Sequence, residues 1–164
     1  MNKKHLLSPL LLILLFLASG CSEDVGKVSL GLFTTKDIFI DAKKDPKVPG
    51  VTCHITHVEA NFDFSDPSNT SIACRQTGPI SAADLANIDH TKNGEIIFTE
   101  SLSILFKSLK VRRIYDQKNN SLLYLSYSTK EINGSHHHSL STVSLFNTAA
   151  SNIPASKTLD PKVL

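Results

Sequence analysis

The chain has 164 residues, 41% of them hydrophobic and 20% charged, with a formal net charge of +2 and no tryptophan. That size suits one domain with a core of its own. Lys3 and Lys4 account for the excess charge, so the remainder is close to neutral, which excludes the basic field of a nucleic-acid-binding domain or of wide contact with anionic lipid.

Lys3 and Lys4 precede an unbroken apolar run over residues 10–17, and Ala18-Ser19-Gly20 supplies small residues before Cys21. This order predicts a cleaved secretory signal over residues 1–20, with an apolar run too short to span a bilayer comfortably. Leu17-Ala18-Ser19-Gly20-Cys21 is also similar to a bacterial lipobox, in which the Cys21 thiol takes a diacylglyceryl group before cleavage. Ala18 stands three before the cysteine, where Leu is usual. An ordinary signal peptidase cutting at the same bond would instead leave a soluble periplasmic protein. Ser22, not Asp, follows Cys21, so no inner-membrane retention signal is present. In a host with two membranes the expectation is a periplasm-facing protein held at the outer membrane by lipidated Cys21. Its acyl chains would contribute about 0.8 kcal/mol per buried methylene.

Export places Cys53 and Cys74 in an oxidising compartment, and with Cys21 assigned to lipid they are the one intrachain pair available. A bridge closing a loop of this length is worth roughly 3 kcal/mol in the chain-entropy model. No C-x-x-C spacing lowers a thiol pKa, so the pair reads as a structural staple.

In chain order, residues 21–27 are the lipidated cysteine and a polar tether, residues 28–146 a β-rich domain, and residues 147–164, rich in Ser, Ala, Thr and Pro, a loose tail. Residues 28–33 and 37–41 read as strands, with Ile38 and Ile40 on one face, and 43–50 as a Pro/Gly loop. Residues 51–58 alternate, with Val51, Cys53, Ile55 and His57 on one face and Thr52, His54, Thr56 and Val58 on the other. That separates His54 from His57, predicts no shared metal, and makes both surface or rim histidines. A turn-rich stretch leads to a return strand over 71–77 that brings Cys74 opposite Cys53.

Residues 81–88 form a short helix candidate with Ser81 as N-cap and Asp84 three residues on. A strand follows over 95–100. Residues 101–116 fit either helical spacing or two strand phases meeting in a bulge. The turn at 115–121 and the β-formers at 122–128 favour a long hairpin. Leu102, Ile104, Phe106, Leu109, Val111, Leu123, Leu125 and Tyr127 are the expected core, and 140–146 a weak last strand. The fold class is therefore mainly β (β-rich α+β): a single antiparallel sheet or a small sandwich or barrel with one short helix.

Val51-Thr52-Cys53-His54, then Ile72-Ala73-Cys74-Arg75-Gln76-Thr77-Gly78-Pro79-Ile80, form a recognisable pattern. It continues through Ser103-Ile104-Leu105-Phe106-Lys107-Ser108-Leu109, Arg113-Ile114-Tyr115-Asp116, Tyr124-Leu125-Ser126-Tyr127-Ser128 and Gly134-Ser135. In this order, over about residues 28–146, the chain resembles the CreA family of exported bacterial proteins. The resemblance implies a periplasmic domain with a Cys53–Cys74 bridge, and no mechanism. Relatives carry a glycine-rich Lys-Gly-Gly stretch between the cysteines, where this chain has Glu59-Ala60-Asn61-Phe62-Asp63-Phe64; if that loop binds something, the activity here is lost or changed. The lipobox is a second departure, and His136-His137-His138 a third.

The sequence contains no G-x-S-x-G, no H-E-x-x-H, no glycine-rich phosphate loop and no free thiol nucleophile, so no catalytic residue and no cofactor is assigned. His136, His137 and His138 are weak candidates for Zn²⁺, Cu²⁺ or Ni²⁺, but consecutive loop histidines without an acidic or cysteine partner are usually solvated. Arg113 and Asp116 read as a surface pair. Arg75 and Lys107 read as solvated strand positions; all four are ligand-binding candidates, with Arg75, Lys107 or Arg113 as the groups that would contact an anion. The favoured function is a non-catalytic envelope lipoprotein that binds a partner protein or a cell-wall or lipid component. The alternatives are a small anionic-ligand sensor, which a buried, unpaired arginine in a pocket would support, and an enzyme or metal-handling protein using the histidines.

Overall fold

The computed structural model describes residues 23–31, 36–60, 70–101, 108–129 and 137–151. These contain β1 (Glu23–Ser29), β2 (Lys36–Lys44), β3 (Val51–Ala60), β4 (Ser71–Gln76), α1 (Ala82–Ala86), β5 (Glu95–Ser101), β6 (Ser108–Asp116), β7 (Ser121–Ser128) and β8 (His138–Ser144). The strands form two four-stranded antiparallel sheets, in the orders β1-β2-β3-β4 and β5-β6-β7-β8. Each strand pairs with its sequence neighbour, so every pairing is local and needs no crossover.

The sheets meet where β4 lies along β8 and β7. No backbone ladder joins the facing edges; the Ser141 hydroxyl of β8 stands between them and accepts from the Cys74 N–H at 2.8 Å. Among the described residues the architecture is thus two sheets and not a closed barrel. At the other flank, Lys43 at the end of β2 donates to Glu100 of β5 at 2.9 Å. Between the sheets lies one core, drawing Val51, Cys53 and Ile55 from β3, Ile72 and Cys74 from β4, Leu109 and Val111 from β6, and Leu122 and Tyr124 from β7. Leu85 of α1, Ile80 and Leu145 seal its ends.

Local chemistry explains the boundaries. Ser81 Oγ accepts from the Asp84 N–H at 3.2 Å while Asp84 Oδ2 accepts from the Ser81 N–H at 2.8 Å, a reciprocal capping box that starts α1 as expected. The Gly50 carbonyl accepts from the Thr77 and Gly78 N–H groups at 2.8 and 3.1 Å, tying the β2–β3 loop to the end of β4. A Cβ on Gly50 would stand 2.2 Å from the Pro79 carbonyl oxygen, so only glycine allows the approach. Cys53 and Cys74 occupy one rung of the β3–β4 ladder with their sulfurs at 2.09 Å, disulfide distance, inside the core.

Four expectations change. The stretch expected as a tether is an edge strand from Glu23 onward, because its backbone pairs with β2. At the other end, Thr148 and Ala150 are buried, so packing continues past residue 146, held by Thr148 Oγ1 on the Leu145 carbonyl at 2.7 Å. His57 is buried, not at the rim; it stacks on Phe39 with centroids 5.6 Å apart, its Nδ1 3.5 Å from Asp41 Oδ2. His54 lies on the opposite face of β3, as the alternation predicts.

The fourth change is the phase of β7. Over the described residues 108–116 is a strand, and Leu109 and Val111 are buried as expected. On β7, however, Leu122, Tyr124, Ser126 and Ser128 face inward, and Leu123, Leu125 and Tyr127 are half-buried on the other side. The ladder decides this: Val111 pairs with Ser126 and Arg113 with Tyr124, and cross-strand partners share a face. Leu102, Ile104 and Phe106 lie outside the described residues.

Candidate functional site

The inward face of the second sheet carries a charge where apolar side chains are the rule. Arg113 sits at the centre of β6, only 1% exposed. Register places Glu95 of β5 and Tyr124 of β7 on the same rung, to either side of it. From the first sheet the β2–β3 loop lowers Asp45 onto this row. The Arg113 guanidinium divides its fork between the two carboxylates, Nη1 to Asp45 Oδ1 and Nη2 to Glu95 Oε1. Tyr124 donates its hydroxyl to Asp45 Oδ2 at 2.9 Å.

Each carboxylate is further satisfied. Asp45 Oδ1 accepts from the backbone N–H groups of Lys47 and Val48 at 2.9 and 3.0 Å, an Asx turn that fixes the loop. Glu95 Oε2 takes the Lys47 ammonium at 2.7 Å and Oε1 the Asp89 N–H at 3.2 Å. Burial pushes the Glu95 carboxyl up, but Lys47, the Asp89 N–H and the Arg113 charge outweigh it, and the group sits below its ordinary 4.5. Burial, reinforced by the adjacent Asp45 carboxylate, drives the Tyr124 phenol far up, so it stays a proton donor. Chemically the cluster is a saturated polar lock between two sheets, with its arginine already bonded to two acids.

The residues expected to form a site are scattered. Arg113 is buried and does not pair with Asp116, which closes the β6–β7 turn instead, accepting from Asn119 Nδ2 at 2.6 Å and from the Asn119 N–H at 3.1 Å. The expected surface pair is therefore corrected, because the strand turns Arg113 inward while Asp116 lies at its end. Arg75 is exposed on β4. His137 and His138 are exposed at the start of β8, and among the described residues no three His, Cys, Asp or Glu side chains are grouped to hold a metal ion. Cys21, Lys107 and His136 lie outside the described residues. Asp45, Glu95 and Tyr124 were not singled out by sequence reasoning; only Asp45, in its Asp-Pro turn, carries a local signal.

The CreA protein family description matches residues 25–148, the whole of both sheets except the first two residues of β1. The chain belongs to the CreA family. It is 35% identical over 153 residues to Protein CreA of Escherichia coli strain K12, covering 87% of this chain and 96% of that protein. The same figures hold for Protein CreA of strains O6:H1 and O157:H7. No solved structure matches. The CreA match encloses Asp45, Glu95, Arg113 and Tyr124 together with both paired cysteines, so lock and staple alike belong to the CreA-like part of the chain.

Proposed function

We propose that this CreA-family chain is a periplasm-facing lipoprotein, held at the outer membrane through Cys21, that works as a non-catalytic envelope interaction module. The observation that carries the reading is the state of Arg113. A buried arginine facing a pocket would favour an anion sensor, but this one is bound on both arms by Asp45 and Glu95 within the core. The strongest charged candidate thus serves the scaffold and leaves the outer surfaces for recognition. The signal pattern before Cys21 supports the anchor, and the core position of the cysteine pair supports a staple over a redox centre.

Intact-mass spectrometry on protein purified from host membranes, alkylated with and without prior reduction, tests this reading. The expected result is a diacylglyceryl-type mass increase at Cys21 and two further alkylations only after reduction, followed by envelope crosslinks that survive washing. An unmodified Cys21 with freely alkylated Cys53 and Cys74 overturns it and returns the pair to thiol or metal chemistry.

A further inference from the structure

Cross-strand partners share a face, so the registers of the first sheet sort its side chains to two sides. The inward side holds buried Cys53 and Ile55, and with them Asp24, Asp37 and Asp41. Its lysines are answered there: Lys27 pairs with Asp37 at 2.8 Å and Lys43 with Glu100 at 2.9 Å.

The outward side has a different composition. One rung carries Val28, Ile38 and Val58 and the next carries Ile40, an apolar row across three strands. Toward the other end, Lys44 and Arg75 flank Thr52 on a single rung, both exposed and neither ion-paired to a described residue. Glu23, at the edge, is the acid that register assigns to this side among the described side chains. The inward side thus carries Asp24, Asp37 and Asp41 with the paired lysines Lys27 and Lys43, while the outward side carries Lys44 and Arg75 without an ion-pair partner among the described residues, beside an apolar row.

The chain's path sets what this side meets. Glu23 pairs with Ala42, two residues from Lys44, and Cys21 is two residues before Glu23. Two residues reach at most about 7 Å, so acyl chains on a lipidated Cys21 would enter the bilayer near the Lys44 end of this side and hold the domain against the surface. We propose that the outward side of the first sheet lies on the bilayer that holds Cys21, with Lys44 and Arg75 at lipid phosphates and Val28 at the acyl boundary. This inference rests on the lipoprotein reading above and adds the surface that the anchored domain uses. Val28 is 52% exposed, and its neighbours Val25 and Leu30 are exposed as well, which suits partial insertion at headgroup depth.

The test places an environment-sensitive fluorophore at V28C or at K118C, the latter in the exposed β6–β7 turn, in full-length protein purified from membranes with Cys21 acylation verified by mass. The proteins are reconstituted in phosphatidylethanolamine–phosphatidylglycerol vesicles carrying doxyl-labelled lipid. Expected is a blue-shifted probe at position 28, quenched several-fold more than at 118, with the difference lost in a K44Q/R75Q background. Equal, water-like emission at both positions in acylated protein overturns this proposal alone. Quenching at position 28 that is unchanged in K44Q/R75Q overturns the phosphate contacts. An unmodified Cys21 overturns the lipoprotein reading and this proposal together.

Discussion

Arg113 shows how one residue can hold two sheets in register. Its fork meets carboxylates 68 and 18 residues before it in the chain, one on the β2–β3 loop of the first sheet and one on β5 of the second. Removing the guanidinium would strand Asp45 in the core without its counter-charge, so R113A is expected to destabilise the fold by about 3–5 kcal/mol. R113K keeps a charge but not the planar fork, and is expected to recover only part of that loss. Urea denaturation of both variants measures the difference. Glu95 makes the lock acid-sensitive. Its folded carboxyl sits below the ordinary 4.5, because Lys47, the Asp89 N–H and Arg113 together exceed the upward push of burial. Such a group binds its proton more weakly when folded, so the stability it contributes is present above about pH 4.5 and lost as pH falls through the lower folded value. E95Q should flatten the stability profile in that acid window and leave the neutral-side slope unchanged, read from urea midpoints across pH.

At the scale of elements, the contact between the β2–β3 loop and the end of β4 is a backbone-to-backbone fit. G50A would drive a Cβ to 2.2 Å from the Pro79 carbonyl oxygen, and backbone cannot step aside as a side chain does. A loss on the order of 1–3 kcal/mol is expected, visible as a lowered Tm. A Tm unchanged by G50A would show that the loop can shift without loosening Asp45. Legibility also differed between elements. The capping box of α1 and the alternation of β3 are local patterns, and both the cap at Ser81 and the inward run of Val51, Cys53 and Ile55 were readable. β7 was misread in phase because Leu123, Leu125 and Tyr127 form the more apolar of its two sides. Their rivals include Ser126 and Ser128, which face inward because they pair with Val111 and Leu109. His57 was misjudged for a related reason: a histidine can be buried when a ring and a carboxylate await it, and Phe39 and Asp41 come from the neighbouring strand.

For the molecule as a whole, the cysteine pair sits where the first sheet turns toward the second, next to the Ser141 bridge between β4 and β8. Reduction should lower stability by roughly 3 kcal/mol, measured as a drop in urea midpoint between oxidised and reduced protein. No drop would mean that the unpaired thiols pack as well as the bridged ones. Near-neutral net charge suggested no interest in anionic surfaces, yet a net value cannot show that Lys44 and Arg75 share one side while Asp24, Asp37 and Asp41 share the other. What the sequence determined by itself was what depends on neighbours along the chain: most of the strand and turn succession, the helix cap, the cysteines available to pair and the family. The tertiary structure alone decided the inward side of β7, the acids that receive Arg113 and the side of the first sheet that Lys44 and Arg75 share. The physical reason is that these depend on register and on the meeting of two sheets, and a partner 68 residues away leaves no mark on the periodicity around Arg113.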